Sequence, residues 1–405
     1  MQNSLFQPVR ALGRTTVLLM MLLVAGCASM PRDSFTLGDQ QQAEVSGFSN
    51  IRHWADASAD ELARISPVKA VMRSDRRTPA QMLALSGGGG AGAYGAGLLV
   101  GWTNSNKRPA FDVVTGVSAG ALIAPFAFLG SRYDPQLRSL FTSGIAKDLN
   151  QRRGPIRALI SNGASDNSNF RKLIARYVTP DVVFEIARAH ANGRRLLVVT
   201  TNLDAQRAMV WDIGAIAMHA NIDKSMHLIH QVLLASASVP GVFPAVKISA
   251  VANGQEFSEL HSDGGVATQI YTAPEVVLAG GVPKPTRTPH GSRIYMIVNN
   301  TIDPEFSVVK ATSLSIASRA YSTFIKSHTR QTISQTYNLS RKTGLDFNLS
   351  YIEEKVPYDA TDPFNTKYMR RLFDIGYATG NRDAWKKTPP ILTSVPVENA
   401  VIARK

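Results

Sequence analysis

The stretch that decides the fold lies at residues 111–129 and reads FDVVTGVSAGALIAPFAFL. Its first part, residues 111–115, is mostly apolar and β-branched and predicts a buried strand. Its last part, residues 119–129, is apolar on every side and predicts a buried helix. Between them lies the pattern G-x-S-x-G, formed by Gly116, Ser118 and Gly120. The sequence therefore predicts a strand, a sharp turn that carries a serine, and a helix.

A serine at such a turn can act as a nucleophile. Its hydroxyl must stand clear of the sheet, so the neighbouring Gly116 and Gly120 must be small enough for the backbone to bend and for a substrate to approach. The turn also places the hydroxyl at a helix N-terminus, where partial positive charge favours a developing anion. The alternative interpretation is a serine that only caps the helix, with glycines present for packing.

A run of glycines follows another short apolar segment, residues 82–85, which predicts a buried parallel strand. The run consists of Gly87, Gly88, Gly89 and Gly90, and Ala91 and Gly92 come next. Consecutive glycines let backbone N–H groups converge on an anion without obstruction by side chains. In a hydrolase, these donors would form an oxyanion hole.

The same run also fits a dinucleotide-binding fingerprint. The spacing G-x-G-x-x-G occurs at residues 90–95 and again at residues 87–92. That fingerprint expects an acidic residue at the end of the second strand, about 20 residues further on. Here the second strand runs into Gly116, and Asp112 lies at its beginning, which weakens the nucleotide hypothesis.

A third signal is Asp263 followed by Gly264 and Gly265. Taken alone, an aspartate before two glycines is typical of a turn. A triad with a histidine is a rival arrangement, because α/β-hydrolases use the chain order serine, aspartate, histidine. The histidines after Ser118 are His190, His219, His227, His230, His261, His290 and His328.

Four of these histidines merit separate interpretation. His328 follows Asp263 at a distance suited to a triad, but residues 326–330 indicate a solvated helix face. His261 is two residues from Asp263, and a role in strand packing is favoured. His227 and His230 share a helix face and could form a metal pair, but the sequence offers no third ligand, so no metal site is predicted.

The first residues of the chain indicate export. Arg10 and Arg14 precede an apolar run at residues 17–25 that is too short for an ordinary membrane-spanning helix, a pattern typical of a secretory signal. The run ends in LLVAGC at residues 22–27, which resembles a bacterial lipobox with Cys27 as the lipidated residue. The alternative is an uncleaved anchor with an incidental cysteine. Because no aspartate follows Cys27, the resemblance implies a lipid anchor in the outer membrane, facing the periplasm.

The net charge of +14 indicates attraction to anionic lipid surfaces, or simply a solvated basic surface. Nucleic acid is not an expected partner, since the sequence has no basic cluster or base-stacking motif. Strands that alternate with helices predict a three-layer α/β/α sandwich with a mainly parallel central sheet. The predicted organisation is a signal peptide at 1–26, a tether and N-terminal extension at 27–78, one domain at 79–385 and a tail at 386–405.

The ordered motifs together resemble the patatin-like phospholipase family. The matching segments are residues 83–89, the turn at 116–120, residues 235–244 and residues 263–265. The resemblance implies a Ser-Asp dyad, with Ser118 as nucleophile, Asp263 as base and Gly87–Gly90 as the oxyanion loop. It implies hydrolysis of a lipid ester such as a phospholipid or lysophospholipid through an acyl-enzyme, without a cofactor.

One position departs from the family pattern. The family commonly has arginine or lysine just before the last glycine of its loop, and here that position is Ala91. A cation near the oxyanion or head group is therefore missing, which we expect to alter lipid preference or rate without removing the backbone donors. Two alternatives remain beside hydrolysis: an acyltransferase that uses the same site, and a non-catalytic envelope lipoprotein that binds an acyl chain.

Overall fold

The computed structural model describes residues 32–64, 78–150, 167–280, 288–358 and 362–390. The predicted signal peptide, Cys27 and residues 391–405 of the predicted tail lie outside these ranges. Within them, no helix is both long enough and apolar enough to span a membrane.

The strands and helices alternate along most of the chain. The strands are β1 Glu44–Val45, β2 Arg52–Trp54, β3 Gln81–Leu85, β4 Val113–Val117, β5 Arg195–Asn202, β6 Arg207–Asp212, β7 Val246–Ala252, β8 Gln255–Asp263, β9 Arg293–Val298 and β10 Asp346–Tyr351. The helices are α1 Leu37–Gln42, α2 Ala59–Arg64, α3 Gly92–Asn104, α4 Ala119–Leu129, α5 Asp134–Thr142, α6 Ser168–Tyr177, α7 Pro180–Ala191, α8 Ile213–Ala217, α9 Ile222–Ser236, α10 Glu275–Leu278, α11 Ser313–Thr343 and α12 Thr366–Asn381.

In the described part of the chain, all ten strands belong to one sheet. Five of them, in the order β5-β4-β3-β9-β10, are parallel. The predicted α/β sandwich with its parallel centre is therefore confirmed. The other five strands pair antiparallel beyond β5, where β8, β7 and β1 follow one another and β6 pairs with β2. We call these five strands the antiparallel wing.

Alternate residues of β5 show that both faces of the sheet are covered. Leu196 and Val198 lie in the larger core, which the helices α3, α4, α9 and α12 complete. Leu197 and Val199 lie in a smaller core on the opposite face. On that same opposite face, Ile333 of α11 packs over β9 and β10. These two covered faces give the three layers that the sequence predicts.

The decisive stretch folds as predicted, with one shift. The helix begins at Ala119 and ends at Leu129, as expected. The strand, however, is Val113–Val117 rather than residues 111–115. Phe111 is buried in the core ahead of the strand, and the Asp112 carboxylate accepts a hydrogen bond from the Gln81 N–H at 2.8 Å. The apolar character of Phe111 therefore reflects core packing before the sheet pairing starts.

Two parts of the antiparallel wing have no counterpart among the predicted strands. The hairpin of β7 and β8 leads directly into Asp263. The strands β1 and β2 belong to the segment predicted as an extension, and they pair with β7 and β6. Both are short, two and three residues, so no periodic pattern marks them. The domain boundary at residue 79 stays a prediction.

Helix α11 packs in an unusual way, because most of its buried side chains are polar. Among the residues of this helix whose burial the structure describes, Ile333 is the only buried apolar one; the other buried residues are Lys326, Thr329, Thr332, Thr336, Ser340 and Thr343. Most of the hydroxyls donate to the carbonyl four residues earlier, so they can be buried without loss of a hydrogen bond. The expected solvated face around His328 is therefore wrong for Lys326 and Thr329, which are buried, whereas Ser327 is exposed.

Candidate active site

The turn between β4 and α4 holds Ser118 in a strained backbone conformation. Its φ is 54° and its ψ is −121°, values that a residue with a side chain rarely adopts. Both neighbouring glycines are required for space: a Cβ on Gly116 would lie 2.5 Å from the Gly120 carbonyl oxygen, and one on Gly120 would lie 2.4 Å from that of Leu85. The turn therefore lifts the Ser118 hydroxyl off the carboxyl end of β4.

The Ser118 hydroxyl donates to the carboxylate of Asp263 at 2.6 Å between Oγ and Oδ2. Both residues are buried, at 6% and 2% exposure. The second carboxylate oxygen of Asp263 accepts the Gly265 N–H at 2.7 Å. Burial raises the pKa of Asp263 to about 7, against the lowering effect of these two hydrogen bonds. A carboxylate with this pKa is a far better proton acceptor near neutral pH than an exposed one.

The strand β5 brings these two residues together. Val199 pairs with Val117, the last residue of β4, and the next residue, Thr200, pairs with Asp263, the last residue of β8. Since β6 occupies the other edge of β5, the strands β4 and β8 share one edge and meet end to end. Ser118 and Asp263, 145 positions apart in sequence, are thereby placed at the same point of the sheet.

Residues at and just after the end of helix α9 hold Ser118 and Asp263 in place. The Ser236 hydroxyl accepts the Ser118 N–H at 3.1 Å and donates to the Val199 carbonyl at 2.6 Å. Two residues later, the Ser238 carbonyl accepts the Asp263 N–H at 3.0 Å. These residues belong to the segment 235–244 that the sequence matched, but the role of Ser236 was not anticipated, because a serine in an apolar helix gives no sign of a partner so distant in sequence.

The glycine run lies beside Ser118, at the carboxyl end of β3. The Gly87 N–H donates to the Gln269 carbonyl at 3.0 Å and is therefore engaged. Gly88, Gly89 and Gly90 remain as candidate donors to an anion. Of these, Gly89 has a φ of 54° and faces open space, whereas a Cβ on Gly88 or Gly90 would meet a backbone oxygen at 2.2 Å. The run thus packs tightly against the protein on two sides and is open at Gly89.

Two buried residues that the sequence reasoning missed hold this loop. The Asn299 amide donates to the Ser86 carbonyl at 2.9 Å and accepts the Gly95 N–H at 3.0 Å, and so ties β3 to α3. Gln269 links the loop to the aspartate turn, since its side chain donates to the Gly265 carbonyl at 2.6 Å. The sequence contains one indication of Asn299: it lies just after a predicted parallel strand, and ligand sites in such sheets occur at the carboxyl ends of the strands.

None of the histidines in the described part of the chain contacts Ser118 or Asp263. His261 is fully buried and bonds Thr200 at 2.9 Å and Glu259 at 3.1 Å, which fits the favoured packing role. Burial lowers the pKa of His261 despite the neighbouring Glu259 carboxylate. His230 bonds the Val178 carbonyl, and His227 is exposed. Within the described residues, no three potential ligands are grouped to hold a metal ion.

Two further predicted glycines also lie at this site. A Cβ on Gly92 would meet the Ala119 side chain at 2.8 Å, next to Ser118. A Cβ on Gly264 would lie 2.4 Å from the Val199 carbonyl oxygen. Ala91, where the family has a basic residue, is buried at the start of α3 with 8% exposure. Like Gly116 and Gly120, these two glycines therefore lie where the surrounding chain leaves no space for a Cβ.

The comparisons with known proteins bear on the family and the fold. Residues 83–273 match the sequence model of the family described as patatin-like phospholipase. No protein of the curated collection matches the chain. Among solved structures, VipD from Legionella pneumophila is similar at 13% identity and a TM-score of 0.35, over 75% of this chain and 66% of that one. Human GIVD cytosolic phospholipase A2 is similar at 10% identity and a TM-score of 0.32, over 80% and 56%.

The chain spans less than two thirds of the length of either structure. Both TM-scores are low, so the conclusion about the family rests on the match to the sequence model. The matched range begins in β3 and ends ten residues after Asp263, and it includes the glycine run, Ser118 and the aspartate turn. Residues 83–273 are a domain of the patatin-like phospholipase family.

Proposed function

We propose that this protein is a lipid acyl hydrolase that uses Ser118 as nucleophile and Asp263 as its only side-chain base. The observation that carries the proposal is the 2.6 Å hydrogen bond from the Ser118 hydroxyl to a buried carboxylate whose pKa is raised to about 7. The family match over residues 83–273 supports a lipid ester as substrate.

The reaction proceeds through an acyl-enzyme. Asp263 accepts the Ser118 proton as the serine oxygen attacks the ester carbonyl carbon, and the protonated Asp263 then gives that proton to the leaving alcohol. Water attacks the acyl-serine next and transfers a proton to Asp263. The carboxylic acid forms as the Ser118 hydroxyl is restored. The carboxylate alternates between base and acid, so no histidine is needed.

The oxyanion of each tetrahedral intermediate is stabilised by N–H groups of the glycine run. Gly88, Gly89 and Gly90 are the candidate donors, because the Gly87 N–H is engaged, and of these Gly89 faces open space. The Ser118 hydroxyl lies beside this loop, since a Cβ on Gly87 would be 3.8 Å from Ser118 Oγ. Loss of one such donor typically costs about 3 kcal/mol of transition-state stabilisation.

A fluorophosphonate probe tests the assignment of the nucleophile. The probe should label the wild type and fail to label Ser118→Ala, because only an activated serine reacts. Ser249→Ala is the matched control, since Ser249 is an exposed serine on β7 and its loss should leave labelling intact. Equal labelling of Ser118→Ala and wild type would refute the proposal.

We also propose that the chain is exported and anchored to the bacterial envelope through lipidated Cys27, in the outer membrane facing the periplasm. The lipobox-like sequence at residues 22–27 supports this proposal. Cells grown with labelled palmitate should incorporate label into the wild-type chain and not into Cys27→Ser. Incorporation of label into Cys27→Ser would contradict the anchor.

A further inference from the structure

Large apolar side chains are concentrated on one exposed stretch, residues 306–324, which we call the apolar segment. It comprises the loop before α11 and the first part of that helix. Its exposed members are Phe306 at 90%, Val308 at 85%, Ile316 at 55%, Phe324 at 48%, Val309 at 38% and Tyr321 at 38%. The six other large exposed apolar side chains of the described residues are scattered from Leu37 to Tyr358. An exposed apolar group of this kind indicates a binding surface.

The apolar segment lies at the surface of the protein. No described side chain from Asp303 to Ile325 is buried. The stretch is held at its base, where the Lys326 ammonium donates to Thr301 and to the Asp303 carbonyl and pairs with Glu305 at 2.9 Å. Beyond that point the helix packs on the sheet. The base is therefore fixed, and the apolar side chains remain free to contact something outside the protein.

The charge around the segment selects a negatively charged partner. From Phe306 to Thr343 the chain has no aspartate or glutamate, and it has six basic residues: Lys310, Arg319, Lys326, Arg330, Arg341 and Lys342. Lys326 is paired with Glu305, whereas Lys310, Arg341 and Lys342 are exposed. Of the exposed basic residues, Lys310 lies within the apolar segment, and Arg341 and Lys342 lie at the opposite end of α11. Exposed apolar side chains and basic residues along the same loop and helix match an anionic bilayer surface, which offers both acyl chains and negative head groups.

The segment also lies near the proposed catalytic pair. Lys326, at the base of the segment, donates to the Thr301 hydroxyl, and two residues earlier the Asn299 amide holds the start of the glycine run through the Ser86 carbonyl. Within the segment, burial and the Asp263 carboxylate raise the pKa of Tyr321 to about 12. A bilayer seated on the segment would therefore be close to Ser118.

We propose that the apolar segment docks the protein on anionic phospholipid bilayers and brings the lipid surface to the Ser118 site. This inference rests on the proposed function, because a lipid substrate is what makes docking at this position useful. The docking itself requires only the exposed apolar and basic side chains of residues 306–324 and their neighbours on α11.

Vesicle binding tests the proposal without interference from turnover or lipidation. All variants are made with Cys27→Ser and Ser118→Ala in the chain from residue 27 onward, without the apolar run of the predicted signal peptide, and binding is measured to phosphatidylcholine vesicles with and without phosphatidylglycerol. The triple variant Phe306→Ser, Val308→Ser, Phe324→Ser should bind the anionic vesicles at least about tenfold more weakly. The matched control is Leu37→Ser, Phe184→Ser, Met218→Ser, whose residues are similarly exposed, and its binding should not change.

Equal binding of the two triple variants would overturn the proposal. So would a change from dimer to monomer in the first variant with unchanged vesicle binding, because the segment would then contact a second copy. With Ser118 restored, the first variant should lose turnover of vesicle lipid and keep turnover of a water-soluble short-chain ester. Absence of turnover of both substrates in the wild type would refute the proposed function while leaving the binding result intact.

Discussion

At the scale of a single residue, the surroundings of Asp263 act on its pKa in two opposite directions. Its burial weakens the charged form and raises the pKa to about 7, while the hydrogen bonds from Ser118 and Gly265 favour the charged form. The result is a carboxylate that changes its protonation state near neutral pH. Such a group can serve in turn as base and acid, but the fold must accommodate a buried charge whenever the base is ready.

The first prediction concerns the pH dependence of turnover. Because the ionised form of Asp263 accepts the proton, kcat/KM should rise with pH and level off above about 7, and at pH 5 it should be about one hundredth of the plateau. A pH profile with an uncharged soluble ester measures this. A profile that is flat from pH 5 to 8 would contradict the raised pKa of Asp263.

The second prediction concerns stability. A folded-state pKa of about 7, above the ordinary 3.8, means that the neutral form stabilises the fold at low pH and that this contribution is lost as pH rises through about 7. Asp263→Asn stays neutral, so its stability relative to wild type should increase by on the order of 2 to 3 kcal/mol between pH 5 and 8. Denaturant unfolding at both pH values measures the difference. A difference independent of pH would show that the Asp263 pKa is ordinary.

At the scale of elements, α3 and α12 pack closely through glycines on both helices. A Cβ on Gly97 or Gly101 would lie 2.0 Å from the carbonyl oxygen of Phe373 or Tyr377, and Gly376 and Gly380 are equally close to α3. The two backbones therefore touch directly. Since α3 begins at the glycine run, this contact constrains the position of the proposed oxyanion loop relative to the sheet.

The third prediction follows from that contact. Gly97→Ala should lower the free energy of unfolding by about 1 to 3 kcal/mol, because the helices must separate to accept the methyl group. Gly38→Ala on α1 is the matched control: its added Cβ would meet only the Thr36 hydroxyl at 3.6 Å, so it should be neutral or slightly stabilising. Urea unfolding compares the two variants, and equal stability would contradict the direct backbone contact.

At the scale of the whole molecule, the N-terminal part of the chain is built into the antiparallel wing. Arg52 of β2 forms a bidentate pair with the buried Glu259 of β8, and Gln40 of α1 donates to the same carboxylate at 2.5 Å. Burial acts to raise the pKa of Glu259, but His261 and Arg52 lower it to about 2. Glu259 precedes Asp263 by four residues on β8, so this pairing links residues 40–52 to the strand that carries the proposed base.

The fourth prediction concerns this pair. Arg52→Met should destabilise the protein by about 3 to 5 kcal/mol, because it leaves Glu259 charged and buried without its partner. Adding Glu259→Gln should recover part of the loss. The control is Arg371→Met, which removes an exposed pair with Glu354 and should cost about 1 kcal/mol or less. Thermal unfolding ranks the variants, and an equal cost for Arg52→Met and Arg371→Met would contradict the buried pair.

The sequence by itself determined the local parts of this protein. The helix at residues 119–129, the serine at a turn between two glycines and the glycine run after a strand are all fixed by steric demands within a few residues. The same holds for the parallel centre of the sheet, because apolar strands that alternate with helices have few other ways to bury both faces. Local rules gave the wrong start for β4, because the apolar side chain of Phe111 fills the core ahead of the strand and does not mark a residue that pairs in the sheet.

Only the tertiary structure decided which distant groups meet. Pairing along β5 places Asp263 beside Ser118, and no local pattern encodes a register between strands so far apart in sequence. The supporting contacts of Ser236, Gln269 and Asn299 depend on the same long-range register. The polar buried face of α11 and the strands β1 and β2 likewise take their places from their partners. The motif thus predicted the nucleophile and its turn, and the fold decided its surroundings.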